Sequence, residues 1–243
     1  MSPHRLTLEQ AADFLHIDAS ELNSLAVQGE IPCQRQGNRI FFDQDDLHAW
    51  SSQKIINDTN TGRKKTAKKK NTQAVNTPSI SDYCSEELIE TDIQAKTMPA
   101  VLKELVKLAE KSDYVYDPND LYNELHEREL AASTAIGVGV AVPHPNRIHQ
   151  FELFSDSFIC VAKLRQPIFF GSNGIRSDKT DIFFLICCTD SDLHLKLLSR
   201  ICALCHETSL ADDLRNATST AEMMKIINSI DANPQLFPPQ KES

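Results

Sequence analysis

His144 is the residue of this chain best placed to do chemistry. It closes the stretch STAIGVGVAVPHPNR, residues 133–147, where it stands between Pro143 and Pro145. The two prolines restrict φ on either side of it, while Gly137 and Gly139 open the preceding run to unusual backbone angles and to close approach by another chain. Such a pattern presents a side chain at the end of a strand, exposed, instead of burying it in the middle. An imidazole with a pKa of about 6.5 is a competent nucleophile at cytosolic pH, able to accept a phosphoryl group and return it.

Two other stretches mimic known chemistry without its context. CALCH, residues 202–206, has the spacing of a c-type haem attachment, yet it lies inside a continuous helical pattern and the N-terminus MSPHRLTLEQAADF lacks the basic-then-apolar plan of an export signal. GVGVAV, residues 137–142, begins like a dinucleotide fingerprint but lacks its third glycine and a suitably placed acidic residue. No metal and no cofactor is expected.

The elements that must position His144 form an α/β domain. MPAVLKELVKLAEK (98–111) carries Val101, Leu102, Leu105, Val106 and Ala109 on one face, and DPNDLYNELHERELA opens with Asp117 and Pro118 in N-cap and first-turn positions. SFICVAKL (157–164) and DIFFLICC (181–188) read as buried strands, followed by helices over 192–205, 209–216 and 219–230. Helices interleaved with buried strands indicate a mixed or parallel sheet.

A smaller unit precedes it. TLEQ (7–10) is a capping box leading into a short helix, Asp18 and Glu21 start a second that ends at Gly29, and Gly37-Asn38 marks a hairpin before DQDDLHAW begins a third. Charge separates the parts. Residues 1–52 hold three basic and eight acidic residues, whereas 53–70 hold seven basic and one acidic, within a chain of 243 residues and formal net charge -9. RKKTAKKK (63–70) lies among Asn, Thr and Ser with little to bury, so 53–80 is expected to be a flexible basic linker between residues 1–52 and a large domain over 81–231, with 232–243 as a tail. The seven cysteines read as reduced thiols, and the longest apolar run, 182–188, is too short to span a bilayer; a cytoplasmic location is expected.

Two family resemblances sharpen the reading. LTLEQAADFLHIDASELNSLAVQGEIPCQRQGNRIFFDQDDLHAW resembles the excisionase/MerR-type winged helix-turn-helix, although SELNSLAVQG has no base where that family's second helix usually meets DNA. The resemblance implies possible DNA contacts through Arg35 and Arg39 on the wing, and Arg63, Lys64, Lys65, Lys68, Lys69 and Lys70 would add phosphate-neutralising charge. RELAASTAIGVGVAVPH (128–144) with DLHLKLLSRI (192–201) resembles the type 2 IIA domains of the phosphotransferase system, the fructose, mannitol and nitrogen-regulatory branch. This implies a IIA-type mixed sheet flanked by helices, His144 as phosphoryl acceptor, His194 beside it and Arg128 holding phosphoryl oxygens. Ser133, Thr134, Gly137 and Gly139 would support the group. Val138 and Pro145 stand where the family usually has Asn and Gly.

The resemblances together imply a nitrogen-regulatory-type IIA protein, charged by a histidine-phosphorylated carrier protein and coupled to regulation through its DNA-binding-like domain, with DNA or regulatory target proteins as further partners. A non-phosphorylated interaction module and a transport phosphocarrier passing phosphate to a sugar-specific IIB component are the alternatives.

Overall fold

A computed structural model describes residues 5–37, 39–60, 78–145, 153–170 and 179–231. Its N-terminal unit is built by local signals. Strand β1 (Arg5–Thr7) runs into α1 (Leu8–Phe14), where the Gln10 amide donates to the Thr7 hydroxyl at 3.4 Å and the Thr7 amide to the Gln10 side-chain carbonyl at 2.9 Å. These reciprocal bonds satisfy amides that the first helical turn leaves without partners. Helix α2 (Ala19–Gln28) stops at Gly29, whose φ of 73° lies in the left-handed region. Strands β2 (Gln34–Gln36) and β3 (Arg39–Asp43) form the expected hairpin, and β1 joins the other edge of β3 to give a three-stranded antiparallel sheet. Ala11, Ala12, Leu22, Ala26, Ile31, Phe42 and Leu47 make its core.

Helix α3 corrects the expected boundary at residue 52. It spans Gln44–Asn60, begun by the Asp43 carboxylate accepting from the Asp45 amide at 3.0 Å, so residues 53–60 are helical and not linker. The reason is tertiary. Leu47 belongs to the N-terminal core, but Ile56, two and a half turns on, is buried in the core of the large domain. Full burial of one isoleucine contributes about 2 kcal/mol, more than the local sequence SQKIINDTN offers by propensity.

The large domain has a five-stranded sheet in the order β4-β7-β8-β6-β5, with β4 (Ile89–Ile93), β5 (Ala135–Gly137), β6 (Val140–Ala141), β7 (Phe158–Phe169) and β8 (Lys179–Cys187). β4–β7 and β6–β8 pair in parallel, β7–β8 and β5–β6 antiparallel, giving the mixed sheet expected. The pleat sorts the two faces. Phe158, Cys160, Ala162 and Leu164 pack with α4 (Met98–Ala109) and α5 (Pro118–Ala131), while Ile159 and Val161 pack with α6 (Ser191–Glu207), α7 (Leu210–Asn216) and α8 (Thr220–Asp231). Covered on both faces, the central strands read as unbroken apolar runs. A buried Arg200–Asp231 pair joins α6 to α8, and Asp231 also accepts from the Ser81 amide at 3.1 Å, tying the start of the domain to its last helix.

Candidate functional site

The site forms where β6 and β8 end. Beyond β6 the chain stays beside β8, with the Ile186 amide donating to the Pro143 carbonyl at 3.0 Å, and delivers His144 at the carboxyl ends of these two parallel strands. Open α/β sheets characteristically bind ligands at such ends. His144 Nδ1 lies 2.8 Å from the Val142 carbonyl oxygen. A carbonyl can only accept, so Nδ1 carries the proton and Nε2 keeps its lone pair.

His194 comes from the first turn of α6, which Asp190 caps by accepting from the Leu193 amide at 2.8 Å. Its ring centroid stands 4.7 Å from that of His144 at an interplanar angle of 50°. Arg128, near the end of α5, donates from Nη1 to the Ala132 carbonyl at 2.7 Å, which anchors the guanidinium to its own helix end. The positive end of the α6 dipole adds to this field. His144, His194 and Arg128, all named from sequence, are thus brought together.

The sequence did not announce the fourth side of the site. His48, Ser52 and Gln53 of α3 lie over it: the His48 ring sits 4.6 Å from His194, and Gln53 Oε1 accepts from Arg128 Nη2 at 3.2 Å. His48, Ser52, Ile56 and Thr59 recur at the spacing of one helix face, the signal that was available. Under this cover His144 and His194 are each 1% exposed and Arg128 4%, against the expectation of an exposed histidine.

Burial sets the electrostatics. It is the first cause holding His144 and His194 well below the ordinary histidine range, with Arg128 adding to the shift at His144 and His48 adding to it at His194. His48 is lowered to about 4 by burial and then by Arg128. All three rings are therefore neutral near pH 7. Five atoms here have no hydrogen-bond partner among the described residues: His144 Nε2, both ring nitrogens of His194, Arg128 Nε and Ser52 Oγ. No group of three or more His, Cys, Asp or Glu among the described residues is arranged to hold a metal.

The supporting residues lie one layer out. Thr134 donates from its amide and hydroxyl to the Glu129 carboxylate, the hydroxyl at 2.6 Å, and the Ser133 hydroxyl accepts from the Ala135 amide at 3.2 Å. Glu129, next to Arg128, is raised by burial and pulled back by the Thr134 and Ser133 bonds. Gly137 and Gly139 form the β5–β6 turn at φ 80° and 74°, with Val138 between them at φ 49°. Arg215 clamps this turn, donating to the Val138 carbonyl and, from Nε, to Asp181 at 2.9 Å; a Cβ at Gly139 would meet Arg215 Nη2 at 2.2 Å. The left-handed φ at Gly139 meets the sequence expectation of an unusual backbone angle there, and the group that approaches it closely is the Arg215 side chain.

In the N-terminal unit Arg35 is exposed but donates to the Ala26 carbonyl at 3.1 Å, closing the end of α2, and Arg39 is exposed on β3. Arg63, Lys64, Lys65, Lys68, Lys69 and Lys70 lie outside the described residues. Cys202 and Cys205 of CALCH are buried in α6, the Cys202 thiol pushed up to about 12 by burial, and His206 Nε2 is bonded to the Ile136 carbonyl at 2.7 Å. No helix among the described residues is long and apolar enough to cross a membrane.

Comparison with known proteins bears on the family and the fold. Residues 5–54 match a helix-turn-helix domain family. A nitrogen regulatory protein of Bradyrhizobium diazoefficiens is 28% identical over 153 residues, covering 61% of this chain and 94% of its own. The fructose-specific EIIABC component of Bacillus subtilis is 25% identical over 161 residues, 63% of this chain but only 23% of that longer protein. Among solved structures, nitrogen regulatory protein IIA-Ntr from Neisseria meningitidis superposes with a TM-score of 0.54 at 21% identity, over 61% of this chain and 98% of its own. IIA mannitol from Escherichia coli gives 0.51 at 18% identity, over 59% and 97%. Residues 82–230, more than half of the chain, match the model for the phosphoenolpyruvate-dependent sugar phosphotransferase system EIIA 2, and the chain belongs to that family.

Proposed function

We propose that the protein accepts a phosphoryl group on His144 from a histidine-phosphorylated carrier protein and uses that charge state for regulation through its N-terminal domain. The observation that carries this is the set of unpartnered polar atoms around a neutral, tautomer-fixed imidazole. Each buried polar group left unpaired costs about 1–3 kcal/mol, a cost that phosphoryl oxygens would offset by taking up the His194 and Arg128 donors. In the transfer, His144 Nε2 attacks phosphorus while the nitrogen–phosphorus bond of the donor breaks and its electron pair returns to the donor ring. Arg128 and His194 supply the fixed positive and N–H groups that such a transition state needs.

The helix-turn-helix match and the nitrogen regulatory relatives support a regulatory over a transport role. The outward residues of α2, Ser20, Glu21, Asn23, Ser24, Val27 and Gln28, include no base, so phosphate neutralisation would rest on Arg39 and the 63–70 segment. The test is to incubate the purified chain with phosphoenolpyruvate, the first enzyme of the relay and several carriers, and to follow acid-labile label. Label on wild type that His144→Ala abolishes is expected. No label with any carrier would refute it and leave the non-phosphorylated interaction module, which the covered site and the absent N–H at Pro145 favour.

A further inference from the structure

A phosphohistidine donor on another protein must bring its phosphorus in line with His144 Nε2, yet that nitrogen is buried and a helix of the same chain packs on its neighbours His194 and Arg128. α3 packs its His48 ring at 4.6 Å on His194, buries Ser52 and Ile56 completely, and sets the Thr59 hydroxyl against the Cys202 thiol of α6. The contact also consumes a donor that a phosphoryl group needs, since Gln53 Oε1 accepts from Arg128 Nη2. His144, His194 and His48 form a run of three imidazoles with successive centroids 4.7 and 4.6 Å apart, the last of them contributed by α3.

We propose that α3 is an internal occupant of the face on which the phosphoryl carrier docks, so that α3 docking and His144 phosphorylation exclude each other, and phosphorylated His144 holds the helix-turn-helix domain off. The inference rests on the phosphoacceptor reading above and adds its control. α3 fits this face by complementarity: an isoleucine enters the apolar core beside α6, and an amide oxygen meets the guanidinium. α3 is also continuous with the N-terminal core through Leu47, so its release frees the whole reader unit at once. A phosphoryl group would compete for Arg128 with an anionic acceptor that the guanidinium fork can engage bidentately, where Gln53 offers one neutral amide oxygen. The coupling is reciprocal at equilibrium: whatever ligand holds the N-terminal domain in its undocked form favours the phosphorylated state of His144 by the same factor as phosphorylation favours that ligand.

The test pins and then loosens the contact in the full chain. Thr59→Cys places a thiol against native Cys202, so mild oxidation bridges α3 to α6, with wild type treated identically as control. Labelling of His144 by the charged carrier is expected to fall at least tenfold in the bridged chain and to recover on reduction. Ile56→Asp, which alters the large-domain contact and not the N-terminal core, is expected to raise the wild-type labelling rate about tenfold or more. Equal rates in bridged and reduced chains, or no acceleration in Ile56→Asp, would overturn the proposal. Absence of label from the reduced and Ile56→Asp chains alike would instead overturn the phosphoacceptor reading, and this inference with it. Binding of uncharged carrier, measured without phosphoenolpyruvate, separates the two: it is expected to weaken about tenfold in the bridged chain, and unchanged binding overturns the competition itself.

Discussion

Acidification should loosen the seal over the site before it unfolds the rest, and His48 gives the magnitude. In the native chain its pKa is about 4, because burial and then Arg128 disfavour the imidazolium; Arg128, His194 and His144 face it from the large domain. In the unfolded chain it is ordinary, about 6.5. Between these values the unfolded state binds more protons, so the contribution of His48 is fully present above about pH 6.5 and is lost as the pH falls towards 4. At pH 5 the ratio of the two binding terms is about 30, or about 2 kcal/mol. Urea denaturation at pH 7 and pH 5, followed by fluorescence of Trp50, the single tryptophan and itself on α3, reads this loss. His48→Leu keeps the volume and removes the titration, so wild type is expected to lose about 2 kcal/mol more than the variant over that interval. His144 and His194 titrate in the same direction and remain in both proteins. Parallel pH profiles in the two would refute the reasoning, since they would mean that His48 is not buried beside Arg128.

Two further substitutions probe the frame. Val138 holds φ 49°, a left-handed conformation costing a β-branched residue about 1–2 kcal/mol, and Val138→Asn should stabilise the chain by about 1 kcal/mol and raise its Tm by about 2–4 °C in a thermal melt. Arg200→Met removes the partner of the buried Asp231 carboxylate and should cost about 3–5 kcal/mol in urea titration; adding Asp231→Leu should recover part of it.

What could be read in the sequence were features whose causes are local. Thr7 and Gln10 make a capping box by spacing alone, Gly29 ends a helix by its own φ, and the runs around 158–164 and 182–187 announce buried strands by composition. β4 escaped notice because Ile89 and Ile93 are the buried ends of a five-residue strand whose middle, Glu90, Thr91 and Asp92, is polar; β5 and β6, three and two residues long, are strands only by virtue of their neighbours. The site divided in the same way. His144, His194 and Arg128 were visible as motif residues, whereas His48, Ser52 and Gln53 acquire a role only when Ile56 joins a core that includes α6, more than a hundred residues away in the chain. The misplaced boundary at residue 52 and the expectation of an exposed His144 share this origin.

The short bond from His144 Nδ1 to the Val142 carbonyl decides more than the orientation of the ring. An imidazole offers two nitrogens of nearly equal intrinsic reactivity, and here one is spent on the backbone, so substitution has a regiochemistry. Any electrophile that reaches the ring, an acylating reagent as much as a phosphoryl donor, attaches at Nε2 and yields a single positional isomer. An antibody selective between the two phosphohistidine isomers, or the nitrogen shifts of a labelled imidazole, would therefore report the fold of the Val142–Pro143–His144 segment as directly as it reports the chemistry.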